Sequence, residues 1–135
     1  MGRQITPHFN EDELRCRCGC GRMEFSDEAV WRLERFRLRF GYPMRISSGY
    51  RCPTYNAQIS AEGSLDGPHT QTADDAITVD ILAYGRWAHD LVALAAGYGF
   101  RGIGSQQKGP IGDRFIHLDS IRSSERHPRP WHWSY

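Results

Sequence analysis

Lysine is almost missing from this chain: Lys108 stands alone beside sixteen arginines. Net charge is also missing, at +1 over 135 residues, and that excludes the strongly basic character of a dedicated nucleic-acid binder. Arg32, Arg35, Arg37 and Arg39 crowd one segment, but Glu28 and Glu34 are interspersed, so the segment reads as a solvated helix face. No apolar run approaches the roughly 18 residues of a membrane helix. The opening stretch MGRQITPHFNEDEL lacks the apolar centre of a secretory signal, so no export signal is expected. There are no repeats and no low-complexity segments. A length of 135 residues with 39% hydrophobic side chains suits one soluble domain over residues 1–135.

Within that domain, residues 1–25 read as an extension that carries Cys16, Cys18 and Cys20 and packs on the rest. A helix should follow. Ser26 is a fitting N-cap, Asp27 and Glu28 suit the positive end of the helix dipole, and Gly41 is a natural stop. Val30, Leu33, Phe36 and Phe40 recur at helical spacing between them. Met44-Arg45-Ile46 alternates as a short strand, and residues 60–76 are loop-like. Strands are expected over 77–82, at 101–104 and over 115–119, with a second helix over 85–97 presenting Trp87, Leu91, Leu94, Ala95 and Tyr98. The tail RHPRPWHWSY is aromatic and broken by proline. This order predicts an α+β fold with a small, mostly antiparallel sheet flanked by helices.

Asp80 and His117 each interrupt an apolar strand, where an unpaired polar group would be costly. His69 follows Gly67-Pro68, which would fix the backbone and leave the imidazole projecting. Two imidazoles and one carboxylate would make a tetrahedral zinc site with one position open. The same residues also admit plainer roles, Asp80 as a cap or salt-bridge partner and His117 as a satisfied core histidine.

Ser48-Gly49-Tyr50-Arg51, Gly67-Pro68-His69, Val79-Asp80-Ile81 and Phe115-Ile116-His117-Leu118-Asp119 occur in that order. From about residue 25 to the end, the chain resembles the M15 family of zinc peptidases. These are D-Ala-D-Ala carboxypeptidases and phage L-alanyl-D-glutamate endolysins, with the Hedgehog domain as a fold relative. The resemblance implies a Hedgehog/DD-peptidase-like fold and zinc held by His69, Asp80 and His117. It also implies that Arg51, with Ser48 and Tyr50 of the same motif, binds substrate. A guanidinium suits a carboxylate because it grips it with a bidentate fork. The implied activity is hydrolysis of peptidoglycan stem peptides by a monomer, with no nucleic-acid or membrane partner. A wall substrate and no export signal together fit phage-type release or a virion-borne enzyme.

Two departures from the family pattern bear on the chemistry. The usual spacing, His-x-x-Gly-x-Ala-x-Asp, is seven positions, whereas His69 to Asp80 is eleven; Asp74 and Asp75 lie closer but in a polar loop. Related enzymes often carry an acid three residues before the last histidine ligand, and here that position is Arg114. Asp113 is therefore placed first as general base, with Asp119 second, since Asp119 could instead orient His117. If neither serves, the chain would be a non-catalytic wall-binding or phage structural module of the same fold. His132, in Pro130-Trp131-His132-Trp133, competes with His117 as last ligand, although Arg129 stands where that branch carries Glu. The aromatic tail itself reads as packing or a groove wall. Cys16, Cys18, Cys20 and Cys52 could form a second, structural zinc site or a disulfide; reduced thiols are the expectation.

Overall fold

A computed structural model describes residues 2–135. The chain opens with strands β1 (Gln4–Thr6) and β2 (Phe9–Asn10), an antiparallel pair, and a single-turn helix α1 (Glu11–Leu14). Asn10 and Glu13 close α1 with a reciprocal capping box. Phe9, Leu14, Cys16 and Phe25 are all buried in the main core, so residues 2–25 are built into it. Helix α2 (Asp27–Phe40) has the expected ends: the Ser26 hydroxyl accepts the Ala29 amide, and Gly41 takes a left-handed φ of 84°. Its apolar face, Val30, Leu33, Phe36 and Phe40, is buried as the spacing predicts.

Glu34 corrects the expectation of a solvated α2 face. It is fully buried, and its carboxylate accepts the His8 amide at 2.8 Å and meets the His8 ring at 2.7 Å. Burial opposes ionisation of Glu34, but the bonds from His8 outweigh it and lower its pKa below the ordinary carboxylate value.

Strands β3 (Ile46–Ser48), β4 (Thr78–Leu82), β5 (Gly102–Gln106), β6 (Phe115–Asp119) and β7 (Trp131–Ser134) form one sheet in the order β3-β4-β6-β5-β7. All pairs are antiparallel except β5 with β7, which run parallel. The fold is therefore α+β with a mostly antiparallel main sheet. Period-two alternation gives that sheet two different faces. Val79, Ile81, Ile116 and Leu118 join the core with α2 and helix α4 (Gly85–Ala95), which buries Ala88, Leu91 and Ala95. The opposite face carries Thr78, Asp80, His117 and Asp119, all buried and all polar.

Three elements differ from the sequence-based reading. The first strand begins two residues later, because pairing with β4 starts at Ile46 opposite Ile81 while Met44 is buried in the core. A helix α3 (Pro53–Ile59) follows the SGYRC segment, started by Pro53 at its first position, where a proline needs no amide partner. The tail forms β7 on the sheet edge.

Candidate metal centre and active site

The register of β4 and β6 sets Asp80 directly opposite His117, so the two polar residues that break the apolar strands face one another. His69 reaches them from a short turn, Pro68–Thr70. That turn is fastened to the sheet and to the SGYR segment. The Thr78 hydroxyl donates to the Pro68 carbonyl at 2.9 Å, and the Arg51 amide donates to the His69 carbonyl at 3.0 Å. One ligating atom from each of His69, Asp80 and His117 lies within 4.8 Å of the others, and all three residues are buried. Asp74 and Asp75 sit elsewhere, exposed in the turn Ala73–Asp75, with Asp75 accepting the Ser26 hydroxyl at 2.7 Å.

The donor set fits a metal ion because each imidazole has one nitrogen committed and one facing the cluster. His69 Nδ1 donates to the Gly49 carbonyl at 2.7 Å, which leaves Nε2 turned to Asp80 at 3.3 Å. His117 Nε2 donates to Asp119 at 2.8 Å, which leaves Nδ1 turned to Asp80 at 3.1 Å. Such outer hydrogen bonds fix tautomer and ring orientation at metal sites. Burial lowers the His69 pKa and favours the neutral, ligating imidazole. For His117 burial acts the same way, but the carboxylates of Asp119 and Asp80 outweigh it and raise its pKa. For Asp80 burial would raise the pKa; His69 and His117 overcome this and hold the carboxyl ionised far below its usual range.

Asp119 is a positioning residue for His117. Its carboxylate is fully buried and held in a bidentate pair by Arg129, Nε to Oδ1 at 2.8 Å and Nη2 to Oδ2 at 2.7 Å, and Oδ1 also accepts the Ile121 amide. With both oxygens occupied it is not free to take a proton, which corrects its reading as general base. Asp113 is exposed in the turn Ile111–Asp113, two residues beyond the Leu82–Phe115 pair that itself lies two rungs from Asp80–His117, so the structure does not bring it into the cluster. His132 belongs to the opposite face of the sheet, exposed, with Nε2 against the Ser105 hydroxyl at 3.1 Å.

Arg51 stands beside the His69-Asp80-His117 cluster. Its Nε donates to the Ser48 hydroxyl at 3.0 Å, Nη1 to Asn56 at 3.1 Å, and Nη2 lies 3.6 Å from Asp80. Ser48 thus positions Arg51. Tyr50 is corrected as a substrate contact: it is buried, and its ring meets Phe25 edge-on at 5.6 Å.

Sequence reasoning gave no site role to Arg129 or Asn56, and read Trp133 and Tyr135 only as part of an aromatic tail that packs or walls a groove. The Trp133 ring lies 4.9 Å from that of His117, and Arg129 lies over it at 5.4 Å. Tyr135 packs against Phe115 at 5.2 Å and stays half exposed; partial burial of its hydroxyl, followed by the charge of Asp80, pushes it up to a pKa of about 12. Two glycines on β5 make room for this layer: a Cβ on Gly104 would lie 2.6 Å from Trp133 Nε1, and one on Gly102 would collide with the Asp119 carboxylate. The only signals in the sequence were the alternation of Gly102 and Gly104 and the aromatic spacing of the tail.

No curated protein and no solved structure matches the chain. A family model does, the one described as Peptidase M15, and its match begins at residue 7, well before the point where the motifs start. Because that match runs through residues 7–119 and takes in every member of the His-Asp-His cluster, the chain belongs to the Peptidase M15 family and is a peptidase.

Proposed function

We propose that the chain is a zinc-dependent peptidase that cleaves peptidoglycan stem peptides, at a bond whose C-terminal-side residue carries a free α-carboxylate. The observation that carries this reading is the Arg51 guanidinium, oriented by Ser48 and Asn56 and set 3.6 Å from the ligand Asp80. A carboxylate gripped there sits one residue from whatever bond meets the metal cluster. Both a terminal D-Ala and the D-Glu of an L-Ala-D-Glu linkage present such a group, so one device serves carboxypeptidase and endopeptidase alike.

Zinc is favoured by the donor set of two imidazoles and one carboxylate, the ligation of a catalytic site with a position left open. When bound, the ion supplies a Lewis acid for the scissile carbonyl and acidifies water. The remaining work belongs to the chain. Arg51 orients the substrate through its carboxylate, and Asp119 with Arg129 keeps His117 Nδ1 directed at the cluster. Tyr135 keeps its proton at neutral pH and is a hydrogen-bond donor for a substrate oxygen. Such a substrate places the site of action in the cell wall, reached by phage-type release or as a virion component.

The test is incubation of the zinc-loaded protein with purified peptidoglycan. Free D-Ala identifies a carboxypeptidase; new amino termini without D-Ala identify an endopeptidase. His69→Ala is expected to abolish either product while leaving the circular dichroism spectrum intact. Zinc bound with neither product formed would overturn the enzymatic reading in favour of a wall-binding module.

A further inference from the structure

We propose that Cys16, Cys18, Cys20 and Cys52 form a second metal site, a tetrathiolate that takes one structural zinc ion. One sulfur from each lies within 4.8 Å of all the others. Cys16 and Cys18 are 3.5 Å apart, and Cys18 and Cys52 are 3.8 Å apart. A disulfide needs about 2.05 Å, so these are not bonded pairs. With Zn–S near 2.3 Å, the edge of a tetrahedron is about 3.8 Å, and the thiols already stand at that spacing.

The chain builds the site on purpose-shaped backbone. Residues 17–20 run through tight turns, and this curl gathers the three sulfurs of Cys-x-Cys-x-Cys on one side. Gly19 and Gly21 then curl the segment with φ of 92° and 77°, values open to glycine at little cost. The loop is closed by the Cys16 amide donating to the Arg22 carbonyl at 2.8 Å. The Cys52 amide donates to the Cys16 sulfur at 3.3 Å, a bond that favours the thiolate form a metal requires. Arg22, whose guanidinium feels the charge of Cys52, supplies positive charge beside a centre of net charge near −2.

This centre is separate from the His69-Asp80-His117 cluster yet mechanically joined to it. Three successive amides fix the segment that carries Arg51: Tyr50 donates to Leu14, Arg51 to His69, and Cys52 to Cys16. A metal clamping residues 16–20 to Cys52 therefore holds Arg51 from its neighbouring residue. The exposed pair Cys18 and Cys20 makes two corners of the clamp, so both can be replaced without opening the core.

The test uses the full chain, reduced and stripped with a chelator, titrated with cobalt(II) and then zinc. One equivalent of cobalt is expected to give sulfur-to-cobalt charge-transfer absorption, which a His-Asp-His site lacks. Zinc is expected to bleach that band and to protect the two exposed thiols, Cys18 and Cys20, from a thiol reagent. Cys18→Ser/Cys20→Ser should lose the band, and His117→Ala should keep both signals. Cys18 and Cys20 still reactive in the presence of zinc, or a charge-transfer band surviving in the double variant, would each overturn the proposal.

Discussion

The Arg51 guanidinium directs its nitrogens at Ser48, Asn56 and Asp80, so its orientation is set before any substrate arrives. Lysine keeps the charge but not the fork. Arg51→Lys should lower kcat/KM by roughly 10- to 100-fold, the loss of about 1.5–3 kcal/mol from a charged hydrogen-bonded pair, with the effect falling on KM. A substrate amidated at the carboxylate checks this: it should be poor for the wild type and no worse for the variant. Asp119 works at one remove, through His117. Asp119→Asn should weaken zinc binding by about 10- to 100-fold, read by competition with a chromophoric chelator while circular dichroism confirms the fold. Unchanged affinity would leave Asp119 a purely structural group. That His69, Asp80 and His117 stand out was legible because Asp80 and His117 break apolar strands and His69 follows Gly-Pro. Arg129 was not, because nothing local in a proline-broken tail says that its side chain returns ten residues to Asp119.

Elements with strong local signals were equally legible. Helix α2 carries its own start, stop and apolar stripe, and β6 is a short alternating run whose limits match the expected ones. Strand β7 lacked such signals: it is a short edge strand whose parallel partner, β5, lies some thirty residues earlier, so its pairing is a tertiary fact. Glu34 was misread for a similar reason, since its partner His8 belongs to the turn between β1 and β2. Besides its backbone pairing with β5, β7 is seated by the fit of Trp133 over Gly104. Gly104→Ala should destabilise the protein by about 1–3 kcal/mol in urea unfolding and shift tryptophan emission as Trp133 leaves His117. A variant with wild-type stability and emission would mean that β7 is docked by its backbone alone.

At the scale of the whole molecule, one sheet separates an apolar core from a layer of buried charge, and that layer ties stability to pH. Asp119 has a pKa of about 2, because the bonds from His117 and Arg129 outweigh burial, and the Glu34 pKa is also lowered. Unfolded carboxyls titrate near 3.9 to 4.3. A group whose folded pKa lies below its unfolded value stabilises the fold above the unfolded pKa and loses that contribution as pH falls through the folded one. The chelator-treated protein should therefore lose stability steeply as pH falls from about 4.5 towards 2, with Asp80, whose carboxyl is also held far below its usual range, adding to the loss. Asp119 alone accounts for roughly 2 to 3 kcal/mol of that loss, by 1.36 kcal/mol per pKa unit. Asp119→Asn removes one titrating group, so its stability, lower at neutral pH, should fall less between pH 4 and pH 2. Urea midpoints across that range measure both slopes. Parallel slopes would place the acid sensitivity elsewhere, with Glu34→Gln as the next variant to compare.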